Sequence, residues 1–168
     1  MSESPIVSSA HLVSEQATEL SEFEFGLNMA INAYHRWIVH CMAAAGQDGL
    51  GALDVLVLHL VNHREREKRL SDLCFLLNIE DSHVVNYSLK KLARMDLVTA
   101  HRRGKETFHA TSESGQAACQ RYRKIRESCL IASHAALGQD NQEIGEAARM
   151  LRLLSGLYDQ AARAAASL

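Results

Sequence analysis

Five side chains within Ser82–Arg94 recur at helical spacing. His83, Asn86, Tyr87, Lys90 and Arg94 stand at i, i+3, i+4, i+7 and i+11. On a helix of 3.6 residues per turn they form one stripe. Every member can donate a hydrogen bond and none is acidic. Such a row suits the major groove of B-form DNA, where each base pair shows its own pattern of donors and acceptors. Asn86 is matched to an adenine edge, His83 and Tyr87 to bases or phosphate, and Lys90 and Arg94 to phosphates. Ser82, directly ahead of the row, joins the candidate set. A second cluster follows at Arg102, Arg103 and Lys105, around Gly104. These cations are placed to reach the sugar–phosphate backbone or the adjacent minor groove.

The elements that must carry these residues follow from periodicity. Val85, Leu89 and Leu92, at i, i+4 and i+7, give the donor helix a buried stripe opposite the donors. Asp81 and Ser82 are its N-cap candidates, and it should stop near Met95–Asp96. Leu70, Leu73, Cys74 and Leu77 predict a short helix before it, with Ser71 or a nearby polar residue at its start and a turn over Asn78–Asp81. Two helices joined by so short a turn make a helix-turn-helix. Residues 97–100 and 107–111 read as two strands around a polar loop, His101 to Glu106, with a basic tip. Upstream, the apolar run 53–61 continues through Asn62 and His63 for about twelve residues, a length that favours helix over strand. Ser21 and Glu24 form a capping-box signature for a long first helix over 21–46, with Phe23, Leu27, Ile31, Tyr34, Ile38 and Cys41 on one face. From Glu113 the chain reads as helix to about Ala136. Gly138 to Asn141 interrupt it, and a last helix follows over 141–166. Residues 1–20, rich in Ser and Glu, are expected to be a loose arm.

Helix, helix, turn, helix and basic hairpin together make a winged helix-turn-helix. With long helices at both ends, the arrangement from Ser21 onward resembles the MarR family of bacterial transcription regulators. The likeness is densest over residues 70–98, LSDLCFLLNIEDSHVVNYSLKKLARMDLV. Two departures stand out. Asp96-Leu97-Val98 occupies the place where family members often carry Gly-Leu-Val. Arg102-Arg103-Gly104-Lys105 replaces the family's frequent Asp-x-Arg wing pattern. The resemblance implies a mainly α fold with a small β-hairpin wing and a single domain over 21–168. Within it, 52–112 would be the DNA-binding lobe, and 21–46 with 113–168 would pair two copies. Double-stranded DNA, a second copy of the chain and a small-molecule effector are the implied partners. Tyr34, Trp37 and Met42 are candidates for an effector cleft or for core packing.

Composition sets the limits. The chain has 168 residues, 47% hydrophobic and 23% charged, with one proline. Net charge is −2, yet the stretch from Arg64 to Lys105 holds ten basic and six acidic residues, which gives +4, while the rest stands at −6. A basic middle between acidic ends indicates a local polyanion-binding face. No apolar run spans a bilayer and the N-terminus lacks export-signal features, so a cytoplasmic protein without membrane contact is expected. Cys41, Cys74, Cys119 and Cys129 contain no CxxC pair and are expected reduced and buried. His59 and His63, at i, i+4, have the spacing of two zinc ligands, but no Glu follows His59, so HExxH is absent. His59 reads better as a satisfied core histidine. GxxxxGKS and GxGxxG loops are missing. No catalytic, cofactor or metal residues are assigned, and an enzyme is not expected. The rival to a DNA-binding regulator is a winged-helix module that binds another protein. A metal- or thiol-based sensor would be a modified form of the regulator.

Overall fold

The computed structural model describes residues 17–136, 138 and 141–168. They gather into two compact units, one ending at Ile125 and the other running Arg126–Leu168. The fold is mainly helical with a small antiparallel sheet, as expected.

In the first unit α1 spans Thr18–Ala44 and α2 spans Ala52–Asn62. A two-residue strand β1, Lys68–Arg69, leads into α3, Leu70–Leu77, and then α4, Ser82–Arg94. Strands β2, Val98–Arg103, and β3, Glu106–Thr111, form the wing, and α5, Glu113–Arg126, follows. The core lies where α1, α2, α4 and α5 meet. Ile38, Met42, Val55, Leu58, Val85, Leu89, Leu92 and Leu97 are at most 2% exposed. The apolar stripe read for α4 is therefore its buried face.

Two turns that frame the helix-turn-helix use left-handed residues other than glycine. Asn78 (φ 53°) ends α3, with Ile79 N bonded to Cys74 O at 3.0 Å and Asn78 N to Phe75 O at 3.2 Å. Asp96 (φ 57°) ends α4 in the same way, with Leu97 N to Leu92 O at 2.9 Å and Asp96 N to Ala93 O at 3.1 Å. Both are Schellman closures, and Asn and Asp tolerate the left-handed region best among residues that carry a side chain. Asp96 also receives the Ser112 hydroxyl on its backbone oxygen at 2.5 Å. Gly115 lets α5 start against this corner. A Cβ there would stand 2.0 Å from Leu97 O, so no other residue fits.

Several expectations need correction. Helix α1 begins at Thr18, not Ser21. Ala17 takes the N-cap position without a side-chain cap bond, and Ser21 is buried within the helix. Glu19 and Leu20, both good helix formers, extend the helix back by one turn. The arm expected over 1–20 lies outside the described residues up to position 16. Arg69, not a Ser, precedes the first turn of α3, and its N–H donates to Asp72 Oδ2 at 3.0 Å. The wing is longer than the two short strands read from sequence. Residues 101–103 and 106 belong to strands, which leaves Gly104–Lys105 as a two-residue turn. Gly104 at φ +62° supplies the positive φ that such tight hairpin turns require at their first central position. The sheet also has a third strand, since β1 pairs antiparallel with β3 and gives the order β1-β3-β2. Finally, Ile31 (45%) and Tyr34 (48%) on the predicted apolar face of α1 remain exposed.

In the second unit a π-helical stretch, Glu127–Ile131, leads to α6, Ala132–Ala136. Helix α7, Asn141–Ala165, matches the predicted last helix and has no buried residue.

Candidate nucleic-acid interface

Helix α4 is held by both its ends and its inner face. At the start, Asp81 Oδ1 accepts the His83 N–H at 2.9 Å, so Asp81 and not Ser82 is the N-cap. On the inner side Ser88 and Lys91 both turn toward Asp54 of α2. The Ser88 hydroxyl donates to Asp54 Oδ1, and Lys91 Nζ lies 2.6 Å from Oδ2. The Gly51 N–H donates to the same carboxylate at 2.8 Å. Burial works to raise the Asp54 pKa. The bonds from Lys91, Ser88 and Gly51, with the Lys91 charge, outweigh it and hold the carboxyl below its ordinary value. This bridge pins α4 to α2, and sequence reasoning missed it. Asp54 stands in an apolar run, and its partners are 34 and 37 residues away.

With that face committed, the expected row points outward. His83, Tyr87 (65%), Lys90 and Arg94 are exposed, as is Ser82, and Asn86 is half-buried. Among the described residues, none of the five row side chains enters a hydrogen bond or ion pair. Lys91, also in this helix, differs because its charge is spent inward.

Strand alternation separates the wing cations. Arg103 shares a face with His101 and, across the hairpin, with Phe108 and Glu106. Its Nη2 is 2.9 Å from Glu67 Oε2, and its guanidinium lies 4.7 Å above the Phe108 ring. His101 stacks on the same ring at 5.9 Å and reaches Glu67 Oε1 at 3.1 Å. Glu106 is taken by Arg69 at 2.9 Å. Arg102 stands on the opposite face, across from Thr107, and Lys105 sits in the turn. Both are exposed and unpaired among the described residues. The structure thus brings the row and the wing into one unit but leaves only two of the three wing cations uncommitted.

Between α4 and the wing lies a recess of about 340 Å3 whose lining includes Arg69, Ser71, Asn86, Glu106, Thr107 and His109. Burial, then the charge of His101, pushes the His109 pKa down. Thr107 and His109 carry no role in the sequence reading. The signal that finds them is the two-residue period of β3, which sets them apart from Phe108.

Residues 50–115 match the family model described as a winged helix DNA-binding domain. Among solved structures, reduced AbfR bound to DNA aligns with a TM-score of 0.68 at 16% identity, over 86% of this chain and 97% of that one. Staphylococcus aureus MarR in complex with salicylate and kanamycin aligns at 0.64 and 13%, over 92% and 99%. Wild-type MarR from E. coli, in its apo form, aligns at 0.55 and 12%, over 76% and 93%. The chain has the MarR-type winged-helix fold. In sequence, no curated protein matches it. All nine candidate residues, together with Asp54, fall inside the matched winged-helix segment.

Among the described residues no three His, Cys, Asp or Glu side chains gather as a metal site. His59 is half-buried rather than a core residue, with its ring 4.3 Å from that of Tyr122, and it is not satisfied: its buried Nε2 has no hydrogen-bond partner among the described residues. Burial pushes its pKa down. Cys41 and Cys119 are buried as expected, and burial raises the Cys119 thiol to about 11. Cys74 is half-buried and Cys129 is exposed, against expectation. No described helix is long and apolar enough to cross a membrane.

Proposed function

We propose that this chain is a sequence-specific, DNA-binding transcription regulator that acts as a homodimer in the cytoplasm. Helix α4 lies in the major groove, with Ser82, His83, Asn86 and Tyr87 toward base edges and Lys90 and Arg94 toward phosphates. The wing meets the backbone or minor groove through Arg102 and Lys105. Arg103 joins them once a phosphate displaces Glu67, an exposed partner whose hold is weak. The observation that carries this reading is the outward row of unpaired donors on α4, next to a basic hairpin, in a segment matching a DNA-binding domain model. AbfR bound to DNA supports the duplex partner, and MarR bound to salicylate and kanamycin supports a small-molecule effector.

Pairing rests on apolar surface. Met29 (58%), Ile31 and Tyr34 on α1 are exposed, as are Ile144, Met150 and Leu153 (72%) on α7. Large exposed apolar side chains repeated along long helices mark association surfaces. The lobe 52–112 reads DNA, and 21–46 with 113–168 join two copies. A scattering mass near twice 18.6 kDa is the expected result, and a monomer at micromolar concentration defeats it.

Salt titration of duplex binding tests the reading. Lys90, Arg94, Arg102 and Lys105 on two protomers neutralise about eight phosphates, so log K should fall with log salt at a slope of about −7. Phe75, 85% exposed on α3, and Leu76 (53%) favour the rival, a winged helix docked on another protein. That rival predicts binding to partner protein with no duplex affinity that collapses between about 50 and 200 mM salt.

A further inference from the structure

We propose that Val84 is a specificity-determining contact whose isopropyl group reads the 5-methyl of a thymine in the major groove. The inference rests on the placement of α4 in that groove and adds an apolar reader to the row of donors. Val84 is 42% exposed, while Val85 beside it is fully buried. A β-branched residue gains nothing from an exposed helix site through propensity alone. Val84 lies in the first turn, three residues after the N-cap Asp81. Residues at the N-terminal end of a groove-lying helix come closest to base edges.

The flank that Val84 occupies presents carbon. At about 100° per residue it stands beside His83 and Tyr87, on the side that faces α2. Further along this side, Ser88 and Lys91 would offer donors, but both are turned to Asp54. What remains is a shallow recess of about 450 Å3, with Val84, Tyr87, Ala52 and Leu53 among its walls. The thymine methyl is the apolar group that the major-groove edges display. A donor cannot recognise it, and an exposed valine at the helix start can. Covering one methyl changes affinity by about four-fold.

The test uses a duplex enriched by the full chain from a random pool, made with thymine or with deoxyuridine at each thymine in turn. The expected result is one position per half-site where deoxyuridine weakens wild-type binding about four-fold. Val84→Ala should lose about the same on the thymine duplex and nothing further on the deoxyuridine duplex. Val84→Ile, which keeps the branched methyl groups, should retain the discrimination. An unchanged urea midpoint shows that both variants fold. Wild-type indifference to deoxyuridine at every position overturns the proposal while leaving the groove placement intact. So does an equal Val84→Ala loss on both duplexes. Failure to enrich any duplex overturns the groove placement, and the Val84 contact with it.

Discussion

Helix α4 and the wing both carry cations in the first unit, but they hold them differently. In α4 the one inward cation, Lys91, is bound to a buried carboxylate, and the outward ones, Lys90 and Arg94, are unpaired among the described residues. In the wing the division runs across the surface: Arg103 is tied to Glu67 and Phe108, while Arg102 and Lys105 are not. The helix therefore has a rigid foundation and a row ready for a ligand. The wing has a brace made of the same kind of residue it would use for contact. A buried anchor specifies position, whereas an exposed ion pair can be exchanged for a phosphate at little cost.

The largest effect that would break this contrast is on stability. Asp54→Ala strands the partly buried Lys91 and should cost about 3–5 kcal/mol in urea unfolding. Glu67→Gln, which loosens only the wing brace, should cost less than about 1 kcal/mol. Equal losses would remove the distinction between anchor and brace. The anchor also has a pH signature. Asp54 has a lower pKa folded than unfolded, so its contribution is present above the ordinary carboxylate pKa of about 4 and is lost as pH falls through the lowered folded value. In Asp54→Ala that part of the acid-unfolding profile should flatten.

Binding effects are next in size. Asn86→Ala should relax preference at one base position by about 1–3 kcal/mol and leave non-specific affinity nearly unchanged. A uniform loss across sequences would move Asn86 from base reader to backbone contact. Smallest are the single wing cations. Arg102→Gln should reduce the salt slope by about 2, as for one lost phosphate contact on each of two protomers. Arg103→Gln should reduce it by less, because the Glu67 carboxylate that a phosphate displaces from Arg103 takes up a counterion in exchange. Identical slopes for the two variants would show that Glu67 does not neutralise Arg103 in the free protein.

How much of the structure was legible in the sequence also differs between the two regions. Helix α4 announced itself because Val85, Leu89 and Leu92 lie one or two turns apart and Asp81 and Asp96 mark its ends. All of those signals are local. The wing is only half legible. His101, Arg102 and Arg103 have no apolar alternation to mark them as strand, since one of their faces packs on Phe108 through a stacked ring and a guanidinium. Strand β1, two charged residues long, has no period to detect. Asp54 gave no sign within its apolar run, because its meaning depends on Ser88 and Lys91 across the fold. The unsatisfied His59 shows the same limit: its place on the apolar helix is readable, but its half-burial and its lack of a partner are not.

If the outward row of α4 reads duplex DNA, selection of bound fragments from a random duplex pool by the full chain will show it most directly. One enriched palindrome is expected, with half-sites about 10–10.5 base pairs apart or a multiple of that, whose enrichment weakens at a defined position with Asn86→Ala. A pool that stays unenriched, or a palindrome recovered unchanged by Asn86→Ala and Tyr87→Ala alike, would contradict the DNA-reading role of α4.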